Sequence, residues 1–176
     1  MNNSTSITES KTKRDIDIKV SLFYLFLYLI CAMLIAGLCY LLSANKFYDF
    51  TINEEPTFSL PYQTTNYLTM IAINFVGLAS FLMWITCRTN ARPKKEIYEN
   101  FITLGILMIT FLLYPLFTYA LHLPIVGCIV LGITIALSIY TTYRYYNSSI
   151  SSGVFITIWT LWLMYLFILN FAYCLL

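Results

Sequence analysis

From Phe101 to Tyr143 the chain runs for more than 40 residues without one Asp, Glu, Lys or Arg. About 18 apolar residues already separate a membrane span from a buried core helix, so this stretch belongs in a bilayer. It is too long for a single crossing and must turn near His122, Leu123 and Pro124, where proline suits a tight interhelical connection. Three further apolar runs complete the set, giving spans at about 20–42, 67–87, 101–123, 124–143 and 154–176. Each can cross about 30 Å of hydrocarbon as a helix. Lipid offers the backbone no hydrogen-bond partner, and the runs lack the polar and apolar alternation of a membrane barrel, so helices are required. The sequence therefore predicts an all-α membrane protein, a bundle of five transmembrane helices over residues 20–176 behind a polar segment at 1–19.

The composition is 60% hydrophobic and 10% charged, against roughly a quarter charged in soluble domains, which excludes a soluble enzyme. A formal charge of +2 is too small for a nucleic-acid partner; the bilayer is the expected surrounding. The first apolar stretch exceeds the 7 to 15 residues or so of a signal-peptide core and is read as a retained span. Five cysteines, Cys31, Cys39, Cys87, Cys128 and Cys174, lie within or at the ends of apolar runs, and no disulfide framework is implied.

Basic residues set the expected orientation. Lys11, Lys13, Arg14 and Lys19 precede the first span, Arg88, Arg92, Lys94 and Lys95 separate the second from the third, and Arg144 follows the fourth. On five spans those positions share one side, and only Lys46 lies on the other. The expectation is a multi-pass protein of the cell membrane with its N-terminus in the cytoplasm, its C-terminus outside and the 43–66 loop external.

The spans hold no acidic or basic residue, and the single histidine, His122, falls at a helix end. Proton pumps, ion-coupled transporters and intramembrane metalloproteases need ionisable groups at membrane depth, so these classes are disfavoured, and no catalytic residue, metal or resident cofactor is expected. What the spans carry is aromatic and weakly polar. At 100° per residue Trp159, Trp162, Leu166, Asn170 and Tyr173 share an arc of roughly 80° on the fifth span. Thr103, Thr110 and Tyr114 group on the third span, and Thr69, Ile73, Gly77, Ser80 and Trp84 on the second. Converging stripes of this kind line a small-molecule pocket, and they equally hold membrane helices together; at this point both readings stay open. The spaced small residues Ala32 and Ala36, and Gly132 and Ala136, likewise suit a homodimer or packing within the chain.

The first loop reads Pro56, Thr57, Phe58, Ser59, Leu60, Pro61, and the second span Val76, Gly77, Leu78, Ala79, Ser80, Phe81, Leu82, Met83, Trp84. Pro115, Leu116, Phe117 follow in the third, and Trp162 with Leu169, Asn170 in the fifth. This ordered set, over roughly residues 20–176, resembles the translocator protein family, whose bacterial members are called tryptophan-rich sensory proteins. The family has Pro-x-Trp-x-Pro-Pro in the loop and Met-Gly-Ile-Ala-Ala-Tyr-Leu-Val-Trp in the second span. Thr69 and Ile73 stand where it has a Trp and a Tyr, and Ile106, Thr110 and Leu113 where it has Gln, Asn and Trp. Ile158 and Trp159 replace its Pro-Tyr pair.

The resemblance implies a receptor or sensor binding a flat, mostly apolar ligand such as a porphyrin or haem within the bundle. The implied contacts are Phe58 and Pro61 as a lid, with Thr69, Ile73, Thr110, Leu113, Tyr114, Trp159, Trp162, Leu166 and Asn170 inside. Porphyrin photodegradation, proposed for some relatives, depends on indoles this chain mostly lacks, so the expectation is a binding protein rather than an enzyme. The competing reading is a small transport component, the substrate-capturing subunit of an energy-coupled importer.

Overall fold

The computed structural model describes residues 18–43, 58–90 and 93–175. The polar head up to residue 17 and most of the first loop, including Pro56, lie outside the described residues. Five α-helices follow one another: α1 (Ile18–Ser43), α2 (Tyr62–Thr89), α3 (Lys94–Pro115), α4 (Pro124–Ser148) and α5 (Ile150–Leu175). A π-helical turn, Leu116–Ala120, extends α3. All five are long and apolar enough to cross a membrane, as expected of an integral, multi-pass membrane protein. Among the described residues there is no strand. The architecture is the all-α, five-helix bundle expected from the hydropathy pattern.

The helices close into a ring in the order α1, α2, α5, α4, α3, and the end of α3 returns to α1. Outward faces such as Phe23, Phe26, Leu34 and Leu41 on α1, or Ile125, Ile129 and Ile133 on α4, are apolar and exposed, a surface suited to lipid. Inside, Ile73, Met83, Leu107, Phe111, Leu131, Ile156, Trp159 and Leu163 form the core.

Close approach follows the small residues. Gly77 of α2 lies where a Cβ would come within 3.0 Å of Ala32 and of the Tyr28 carbonyl on α1. Ala32 and Ala36 are buried along the same contact, so they are used within the chain. The α4–α5 hairpin turns on the single residue Ser149, and Gly153 leaves room for the Tyr146 ring. Midway along it Ser138 and Thr160 share a hydroxyl hydrogen bond of 2.7 Å, with Thr142 at 3.2 Å from Thr160, the polar stitching that replaces hydrophobic force between membrane helices.

Three helices run past the ends that charge alone suggested. α3 starts at Lys94 and α4 continues to Ser148, because their polar residues satisfy one another across the pair. The Arg144 guanidinium donates to Asn100 Oδ1 at 3.0 Å and to Glu99 Oε2 at 2.9 Å. Asn100 Nδ2 donates to Ser148 Oγ at 2.9 Å, and that hydroxyl donates to Glu96 Oε1 at 3.1 Å. Similarly, α2 begins at Tyr62, so the last residues of the 43–66 loop are helical.

Candidate functional site

Opposite this basic end, Pro115 shapes the bundle. It has no N–H to donate, and the backbone resolves the break by widening: Leu121 N–H bonds Leu116 O at 3.0 Å and Leu123 N–H bonds Phe117 O at 2.9 Å. His122 then adopts a positive φ of 55°, and Pro124 opens α4. The widened turn carries Tyr119 beside Tyr114, with the two hydroxyl oxygens 3.0 Å apart. Asn170 of α5 donates from Nδ2 to Tyr114 Oη at 2.6 Å and to Leu166 O at 2.8 Å. Tyr119, half-buried, with Tyr114 and Asn170, both buried, therefore forms one chain of hydrogen bonds joining α3 to α5.

Below this chain lies a cleft walled by the end of α1 (Ala36, Cys39, Tyr40, Ser43), the start of α2 (Thr65, Asn66, Thr69, Met70), the end of α3 (Phe111, Tyr114, Pro115, Tyr119) and Leu166 of α5. Its volume is about 40 Å³. That holds about three water molecules, whereas pockets for drug-sized ligands occupy about 300–1,000 Å³. Asn66 Nδ2 is buried here without a partner among the described residues, so the cleft offers a hydrogen-bond donor to a small polar occupant.

A second space opens sideways between α2 and α5. Leu68, Ile71, Ala72 and Phe75 face Ile158, Leu161, Trp162 and Tyr165 across a groove of about 340 Å³ that opens toward lipid. Trp162 divides it from the interior cleft. The indole Nε1–H donates to Thr69 Oγ1 at 3.1 Å, and Thr69 donates to Thr65 O at 2.8 Å, which fixes the ring plane. Tyr165 stacks on the indole with ring centroids 5.0 Å apart at 30°. Its hydroxyl accepts the Leu60 N–H at 3.2 Å, tying the 58–61 segment to α5 at the head of the groove.

The residues expected to form one site are thus distributed. Thr69, Tyr114, Trp162, Leu166 and Asn170 surround the cleft and its partition. Ile73 is buried in the core one turn below. Trp159 is fully buried against Phe111, with ring centroids 4.8 Å apart, and lines neither space. Thr110 bonds back to its own helix at Ile106 O and Leu107 O, and Leu113 is 37% exposed on the outer face of α3. Phe58 and Pro61 are exposed beside the tethered Leu60. On α2, Gly77 and Trp84 face α1, where the Trp84 ring meets Tyr24 at 4.5 Å and carries Arg88 at 5.2 Å.

Three contributors escaped the sequence reading. Tyr165 stands three residues after Trp162 and was open to the same helical phasing. Asn66 fell inside the segment read as loop, and Tyr119 lies beyond Pro115, where helical phase is lost. Among the described residues no group of three or more His, Cys, Asp or Glu comes together as metal ligands. No family model matches this chain, and no curated protein matches its sequence.

Proposed function

We propose that the protein is a membrane receptor of the translocator type that binds a flat, mostly apolar ligand of the porphyrin class in the α2–α5 groove, with the basic end on the cytoplasmic side of the cell membrane. The observation that carries this reading is Trp162, whose plane is fixed by Thr69 and stacked on Tyr165 in the wall of a groove large enough for part of such a ligand. The interior cleft, at about 40 Å³, is too small for a macrocycle, which moves the binding surface outward from the bundle axis to the lipid-facing side.

A ligand arriving from lipid gains little from leaving water; it gains from shape and from aromatic contact, about 0.5–1.5 kcal/mol per well-placed ring pair. Among the described residues no histidine, cysteine or methionine lines the groove, and recognition rests on the macrocycle face. Leu60, held by Tyr165, keeps Phe58 and Pro61 at the head of the groove, where ligand polar groups reach the membrane surface. Ala136 is exposed on α4, which leaves that face open to a homodimer.

Titration of detergent-purified protein with protoporphyrin, read by tryptophan fluorescence, tests the proposal. Binding should weaken about tenfold in Trp162→Phe, equivalent to about 1.4 kcal/mol, and also in Leu161→Trp, which occupies the groove from the lipid side. Leu166→Trp fills the interior cleft and should lower thermal stability with affinity retained. Absence of porphyrin binding by the wild-type chain, or affinity lost only in Leu166→Trp, refutes the groove as the site.

A further inference from the structure

The antiparallel packing of α4 on α5 brings together two cysteines that are 46 residues apart in sequence. Cys128 lies in the second turn of α4 and Cys174 in the last turn of α5, with their Sγ atoms 3.5 Å apart. Both are free thiols. Cys128 is four residues from the start of its helix, about 6 Å along the axis, so the pair sits near the membrane surface rather than at mid-bilayer. Cys174 is partly exposed there and Cys128 is buried behind it.

This end is the one opposite Arg144 and the α2–α3 turn. On the orientation proposed above it faces outside the cell, where disulfides form and persist. The pairing depends on that orientation only for the side from which an oxidant arrives, and it is independent of porphyrin binding.

We propose that Cys128 and Cys174 form a reversible intramolecular disulfide, a redox clasp between the start of α4 and the end of α5. The oxidant is of the disulfide class, a small-molecule or protein RSSR. The more accessible Cys174 thiol gives its proton to water, and its thiolate attacks one sulfur of RSSR. The RS–SR bond breaks, a mixed disulfide forms on Cys174, and the RS⁻ released takes up a proton. Cys128 then loses its proton and attacks Cys174 Sγ, expelling the second RS⁻, which is protonated in turn. Two protein thiols are oxidised and RSSR is reduced to two RSH.

The clasp acts on the polar chain above the cleft. Asn170 stands one turn before Cys174 on the same face of α5 and holds Tyr114. Closing the disulfide pins that last turn, where a helix otherwise frays, and so keeps Asn170 in register with α3.

Sealed cells expressing the full chain are treated with oxidised glutathione, which does not cross the membrane, then alkylated and analysed by mass spectrometry. Alkylatable cysteines should fall from five to three, with one crosslinked species containing Cys128 and Cys174 that dithiothreitol reverses. Cys128→Ser should stop at a glutathione adduct on Cys174, and Cys174→Ser should remain unmodified at Cys128. A wild-type chain that stops at the glutathione adduct, stays fully reduced or crosslinks to a second chain overturns the clasp. Closure only in inverted vesicles overturns its placement on the outer side. Loss of porphyrin binding with the clasp intact would sink the function proposed above without touching this inference.

Discussion

Gly127 shows how little space separates the helices at the π-turn. A Cβ added there would collide with the Thr118 hydroxyl and lie 3.1 Å from Thr118 Cβ, so the first turns of α4 pack against the widened end of α3 only because this residue has no side chain. Thr118 Oγ1 is itself buried without a partner among the described residues, so removing that hydroxyl should cost little. Gly127→Ala should therefore destabilise the protein by about 1–3 kcal/mol, the usual range for overpacking. Thr118→Ala alone should be near neutral, and the double substitution should recover most of the loss. Thermal unfolding of the four proteins in one detergent closes the cycle. A loss in the double mutant equal to that of Gly127→Ala would show that the two residues do not press on each other.

At the scale of an element, the π-turn decides what Tyr119 can do. In a regular α-helix, positions five apart diverge by about 140° around the axis, and Tyr114 and Tyr119 could not meet; widened turns after Pro115 bring their hydroxyls to 3.0 Å. Tyr119→Phe should cost about 1 kcal/mol in the wild-type background and close to nothing in Pro115→Ala, where the helix can close normally. Equal costs in both backgrounds, measured by unfolding, would mean that proline does not set the contact. The same element marks the limit of legibility. Thr69 and Trp162 were readable because each lies on an uninterrupted helix whose 100° step carries phase, whereas phase is lost across Pro115. On α5 the 60° between Trp159 and Trp162 was too small to separate by pattern, yet it sends one ring to Phe111 and the other to the groove. At the other end Arg144 read as a mere boundary charge, because its partners lie 44 and 45 residues away on α3. Asn100→Leu removes one hydrogen bond from Arg144 and one from Ser148 while Glu99 and Glu96 still hold them, and should cost about 1–3 kcal/mol in all. Lys95→Ala, which removes a 3.9 Å surface pair from a side chain 87% exposed, should change stability immeasurably.

For the molecule as a whole, five crossings force the two ends of the chain to opposite faces, and the polar positions decide which face is which. In sequence, nine of the ten basic residues fall before or at the start of α1, around the α2–α3 turn or near the end of α4, and Lys46 alone falls in the long loop. The bundle brings the start of α1 to the same end as the finish of α2 and of α4. Moving such a set of charges outward is opposed during insertion, so that end should remain cytoplasmic. Single cysteines placed at Asn3 and Thr64 in a background lacking the five native ones report the outcome directly. Thr64 is exposed at the start of α2, beyond the head of the groove, and should react with an impermeant maleimide added to intact cells. Position 3 should react only after the membrane is opened. Labelling of both from outside would break the five-span topology; labelling of position 3 alone would invert it, placing the Phe58–Pro61 segment and the Cys128–Cys174 pair on the cytoplasmic face, where thiols are kept reduced.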